Sequence, residues 1–116
     1  MENYRLVLPE DLNQFGHLFG GRLLAWVDEA SWIAASLDYP LCRFVTVAMD
    51  EAIFRHSVKE GSILTISSEK VREGTTSVTY KILVFRGRSE YTEPIFSTQV
   101  SFVNLTEEGE KTPIIK

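Results

Sequence analysis

The stretch Asn13-Gln-Phe-Gly-His-Leu-Phe-Gly-Gly-Arg-Leu-Leu-Ala-Trp-Val-Asp28 joins a polar, glycine-bearing loop directly to an apolar helical pattern. The double glycine, Gly20-Gly21, marks the junction. It permits a close backbone approach and leaves free N–H groups at a helix start. Those donors, with the positive end of the helix dipole, suit an anion or a polarised carbonyl oxygen. Inside the apolar run stands one acid, Asp28, flanked by Val27 and a second acid, Glu29. It lies about two turns into the helix, where a carboxylate can act on whatever the donors hold.

From Arg22 to about Leu37 the apolar residues cover nearly the whole helical circumference. Such a helix is expected to be buried, and Asp38-Tyr39-Pro40 stops it. Upstream, Tyr4 to Leu8 reads as a short strand closed by Pro9, and Asp11 to Gly21 as a loop. Downstream the period changes to two. Phe44–Phe54, Ile63–Val71, Val78–Val84 and Phe96–Phe102 read as four strands. Turn residues separate them at Lys59-Glu-Gly61, Arg72-Glu-Gly74, Arg86-Gly-Arg88 and Glu93-Pro94. Short turns imply antiparallel neighbours. The order predicts an α+β domain in two layers, a five-stranded antiparallel sheet curled around one long central helix. Its open sheet edge predicts a dimer.

With 116 residues the chain suits one domain, spanning 1–116, and at 44% apolar it can build a core. A chain this short buries only about two-thirds of its unfolded surface, which favours further burial by association. The net charge of −4 argues against a general nucleic-acid binder. It leaves room for a local basic pocket facing a phosphorylated cofactor. The lone cysteine, Cys42, excludes an internal disulfide and fits a reducing compartment. No CxxC or His-Cys cluster suggests zinc. The first residues lack the pattern of a signal peptide, and the longest apolar run, Leu23–Val27, is too short to cross a bilayer. A cytoplasmic location is the expectation. The polar tail, about 106–116, is expected to fray.

Asn13-x-x-Gly16-x-x-Phe19-Gly20-Gly21-x-Leu23-Leu24-x-Trp26-x-Asp28 resembles the signature of hotdog-fold acyl-CoA thioesterases of the YciA-like type. The resemblance continues through Val45-Thr46-Val47-Ala48-Met49-Asp50 and Phe54, resumes at Val58-Lys-Glu-Gly61-Ser62, and returns at Arg72-Glu-Gly74-Thr75-Thr76-Ser77. Two departures stand out: Ser57 where a proline is common, and Ser62 where an acid is common. The resemblance implies the hotdog fold, hydrolysis of acyl-CoA to free acid and coenzyme A, and no separate cofactor. It also implies that Asn13 and Asp28 meet from opposite subunits of a homodimer, with three dimers making a hexamer.

Thioester hydrolysis needs an activated water or a direct nucleophile, and a donor for the developing oxyanion. Asp28 suits either of the first two roles. A mid-helix acid among apolar neighbours is costly to bury without a partner, which weighs against a purely structural role. Its neighbours Ala25, Ser31 and Ala35 leave room for an acyl group or a water. Glu29, about 100° around the helix, is read as an interface or solvent-facing acid. The amide of Asn13 suits the water or the thioester carbonyl; the competing reading is a turn residue. The backbone N–H groups of Gly20, Gly21 and Arg22 are the expected oxyanion donors. His17 is a minor candidate for a base. Arg55, His56, Ser57, Lys59 and Arg72 are placed to meet coenzyme A phosphates, and Thr75, Thr76 and Ser77 to offer hydroxyls. Two other readings fit the same fold. One is an enoyl-thioester hydratase or dehydratase, and the other a non-catalytic acyl-CoA binder.

Overall fold

The computed structural model describes residues 1–88 and 93–116. In chain order it contains β1 (Glu2–Leu6), a 3-10 turn (Pro9–Asp11), α1 (Gly20–Asp38), β2 (Phe44–Phe54), β3 (Ile63–Glu73), β4 (Ser77–Arg86) and β5 (Pro94–Asn104). The five strands form one sheet in the order β1-β3-β4-β5-β2, and every pairing is antiparallel.

The register explains the core. Alternate residues point to one face, so Ile66, Val84 and Phe96 fall in one row across the sheet, and Ser68, Ile82 and Thr98 in the next. Further along, Tyr80 pairs with Val100 and Val78 with Phe102. All eight apolar residues of these rows are at most 1% exposed. Each contributes roughly 1.5–3 kcal/mol by leaving water. Helix α1 lies on this face. It presents Leu23, Trp26 and Val27, then the small residues Ala30, Ser31, Ala34 and Ala35.

Four local outcomes depart from expectation. The helix begins two residues earlier than expected, with both glycines in its first turn. A Cβ on Gly21 would lie 2.8 Å from the Phe19 ring, so a larger residue there would push that exposed ring aside. Strand β1 is displaced toward the N-terminus. Its expected end leaves the ladder because the Val7 and Leu8 N–H groups donate to Ser62 O and Asp11 Oδ2, both at 2.9 Å.

The helix is buried on the sheet side alone: Trp32 remains 44% and Leu37 65% exposed on the other. One sheet cannot cover an all-round apolar helix.

The tail does not fray. Thr112 N–H donates to Asn104 O, Ile114 N–H to Thr75 O, and Asn104 Nδ2 to Pro113 O. Asn104 is almost fully buried and also accepts from Arg43 N–H at 2.7 Å. It ties the tail, the β3–β4 hairpin and the start of β2 together.

The outer edge of β2 pairs with nothing in the protomer. Along it Val45, Val47, Ile53 and Phe54 are exposed. The strand carries two irregularities, and Glu51 sits at one with φ of 52°.

Candidate active site

Asp28 projects from α1 toward the start of β2. Its Oδ1 accepts a hydrogen bond from the Thr46 hydroxyl at 2.6 Å. The hydroxyl fixes one carboxylate oxygen and leaves the other to act. Ser31, one turn on, turns its own hydroxyl back to the carbonyls of Val27 and Asp28, so it does not compete for that carboxylate. Glu29 points elsewhere and pairs with Arg5, whose guanidinium also covers the Trp26 ring at 5.3 Å.

Asn13 lies in the loop that precedes the helix start. Its Oδ1 accepts from Phe15 N–H at 2.8 Å and His17 N–H at 3.1 Å, and its own N–H donates to His17 O. This is a side-chain-closed turn, so the turn reading holds for the oxygen. The Nδ2 donor has no protein partner among the described residues and is open. The loop is fixed from below by Asp11, which takes the Leu8 N–H and sits 3.3 Å from the Arg22 guanidinium. At the helix start, Arg22 N–H and Leu23 N–H both donate to Phe19 O. The Arg22 donor is therefore committed, which corrects the expectation that it is available to an oxyanion. Gly20 and Gly21 N–H remain open among the described residues.

Asn13, His17 and Gly20 line one cleft of about 340 Å³ with Phe54, Arg55, His56 and Ser57. Arg55 turns its guanidinium to Ser97 Oγ at 2.7 Å. Asp28 does not line this cleft. It lies eight residues beyond Gly20 on the helix, about 12 Å along the axis. The hairpin residues Arg72, Thr75, Thr76 and Ser77 do not line it either. Arg72 donates to Thr79 Oγ1 at 3.2 Å, and Thr75 and Thr76 carbonyls are taken by Ile114 and Asn104. The structure thus joins Asn13, Gly20 and the Arg55–Ser57 group, and sets Asp28 and the hairpin apart within one protomer.

Far from both, the end of α1 is anchored by a polar network. Tyr80 donates to Asp38, Lys70 to the Tyr39 hydroxyl, and Tyr39 to Glu73. Lys116 pairs with Glu73 at 2.8 Å. The Lys116 ammonium and then the Tyr39 hydroxyl hold the Glu73 carboxyl at about 2, below its ordinary 4.5. Burial, with Asp38 beside it, pushes the Tyr80 hydroxyl far up.

Thr46 and Asp11 are the residues that sequence reasoning passed over. A threonine between two valines reads as strand propensity alone, and nothing in the pattern links it to an acid in the preceding helix. Among the described residues no cluster of three His, Cys, Asp or Glu is placed to hold a metal.

This fold and this loop–helix site belong together in a known group. Residues 15–92 match the thioesterase superfamily, and the chain belongs to that superfamily. Its fold matches a hexameric hotdog-fold thioesterase of Campylobacter jejuni with a TM-score of 0.85. The two are 33% identical, over 97% of this chain and 88% of the other. An acyl-CoA hydrolase of Staphylococcus aureus, solved with butyryl coenzyme A, matches with a TM-score of 0.88 and 26% identity, over 98% of this chain and 70% of the other. That hydrolase was also solved as alanine variants at an asparagine and an aspartate fifteen positions apart, and at a threonine farther on. The acyl-CoA thioester hydrolase YciA of Escherichia coli is 34% identical over 80 residues, which are 69% of this chain and 60% of that protein. The chain spans about half the length of the curated relatives it matches.

Proposed function

We propose that the protein hydrolyses acyl-CoA thioesters, giving a free carboxylic acid and coenzyme A. The observation that carries this is the Asp28 carboxylate, held by Thr46 beside an open strand edge that also leads to Asn13 and the unpaired glycine donors. Asp28 takes a proton from a water that attacks the thioester carbon, or attacks that carbon itself to give a mixed anhydride, which water hydrolyses to the free acid after the thiol has left. The carbonyl oxygen gains the electron pair and is met by the N–H groups of Gly20 and Gly21. The C–S bond then breaks, the sulfur leaves as thiolate and takes up a proton. Asn13 Nδ2 orients the water or the carbonyl. Arg55, His56 and Ser57 line the path of the cofactor arm. We assign Arg72, Thr75, Thr76 and Ser77 to its polar end. Coenzyme A enters as part of the substrate, and no metal takes part.

The site is shared between two chains of a homodimer. Thr46 lies near one end of β2, Phe54 at the other, and Asp50 midway. An isologous antiparallel pairing of two β2 edges about Asp50 sets Phe54 of one chain opposite Thr46 of its partner. That brings the Asn13 cleft, walled by Phe54, to the partner's Asp28. The same pairing covers the exposed Val47 and Ile53 along the β2 edge. Residues 1–116 act as one domain, the dimers assemble in threes, and the protein works in the cytoplasm. The hexameric Campylobacter jejuni thioesterase and the matching asparagine–aspartate spacing of the Staphylococcus aureus hydrolase support this reading.

The test is thiol release from a panel of acyl-CoAs, with Asp28→Asn alongside. The variant should fold and assemble yet lose at least about a hundredfold in kcat. Near-normal turnover in a folded variant would remove Asp28 from the reaction.

A further inference from the structure

Asp28 and Trp32 are one turn apart on α1 and share a face. Beside Trp32, between the helix and the start of β2, lies a second cleft of about 400 Å³. Trp32, Val45 and Leu105 give it apolar walls. The indole is fixed there, because its Nε1 donates to Phe44 O at 3.0 Å. Arg43 and Glu107 also line the cleft, without an ion pair between them. The Arg43 backbone is held by Asn104, but its guanidinium has no protein partner among the described residues. A free guanidinium lining a cleft with apolar walls favours a carbon chain that ends in an anion. It binds a carboxylate through two parallel hydrogen bonds. A plain alkyl end in the same place would strip water from the charge and return nothing. The phosphates of coenzyme A are separated from the reacting carbonyl by the whole pantetheine arm. That arm is far longer than the single helical turn between Asp28 and Trp32. The anion that reaches this cleft from a carbonyl at Asp28 therefore belongs to the acyl group.

We propose that the cleft of Trp32, Arg43 and Val45 receives the far end of the acyl group, and that Arg43 there selects acyl thioesters ending in a carboxylate. This rests on the hydrolase reading above.

The experiment compares kcat/KM for glutaryl-CoA against pentanoyl-CoA and adipyl-CoA against hexanoyl-CoA, in the native protein and in Arg43→Gln. The native protein should favour the carboxylated member of each pair. Arg43→Gln should lose about tenfold to a hundredfold on those members, lose nothing on the alkyl esters, and leave the unfolding midpoint unchanged. A native preference for the alkyl esters, or an unchanged ratio in the variant, overturns the proposal. So does an equal loss on all four esters that vanishes with the corresponding acyl-pantetheines, since Arg43 would then be meeting the phosphates of coenzyme A. No thiol release from any ester overturns the hydrolase reading itself.

Discussion

Asp28 is held by one hydroxyl, and that makes Thr46 a sensitive position. Replacing the hydroxyl by a methyl keeps shape and strand propensity but frees the carboxylate to rotate. Thr46→Val should lower kcat by roughly tenfold, the worth of one hydrogen bond to a charged group, with KM little changed. An unaltered kcat would mean that helix packing alone orients Asp28. Glu51 is the other telling residue. It holds φ of 52° in the exposed edge strand, a conformation that costs an L side chain about 1–2 kcal/mol. Glu51→Gly should raise stability by up to about 1 kcal/mol, since glycine's own entropic cost offsets part of the relief. Denaturant unfolding reads this, and a fall in stability would show that the Glu51 side chain compensates its strain through a contact made on assembly.

At the scale of elements, the C-terminal tail makes a pH-dependent attachment. The folded value of Glu73, about 2, lies below the ordinary 4.5, because Lys116 and Tyr39 favour the charged carboxylate. Its contribution is therefore present above about pH 4.5 and is lost as pH falls through about 2. Protection of the Ile114 and Ile115 amides from exchange, taken against the unfolded-chain rate at each pH, should fall as pH drops across that window. Glu73→Gln should lower it at neutral pH and flatten the dependence. Exchange that ignores Glu73 would assign the docking to Asn104 alone. This attachment was not legible in the sequence, because the polar composition hides that Asn104, Ile114 and Lys116 find partners far away in the chain, at Arg43, Thr75 and Glu73. The strands were legible, since alternation of Val78, Tyr80, Ile82 and Val84 reports a half-buried surface directly. The boundaries β2 (Phe44–Phe54) follow the expectation, and the helix start does not. Glycine propensity argued for a loop, whereas the Phe19 carbonyl takes the Arg22 and Leu23 N–H groups and starts the helix there. Asp28 was legible as a lone acid in an apolar run. Its partner Thr46, eighteen residues on, could be found only by folding the chain.

For the whole molecule, the two-fold dimer we propose gives one common resolution to the unpaired β2 edge and to the separation of Asn13 from Asp28. In the proposed dimer each protomer supplies two half-sites, at opposite ends of β2, and association completes each one. The most direct test of that claim mixes two inactive chains. Asn13→Ala and Asp28→Ala are each expected to fold, to show native circular dichroism, and to release almost no thiol from acyl-CoA. Refolded together from denaturant, about half of the dimers are hybrids. Each hybrid carries one intact site and one site broken twice, so roughly a quarter of the native thioesterase activity should return. Hybrid dimers that form and stay inactive would contradict the account, leaving Asn13 as a turn residue or placing both residues at work within one chain.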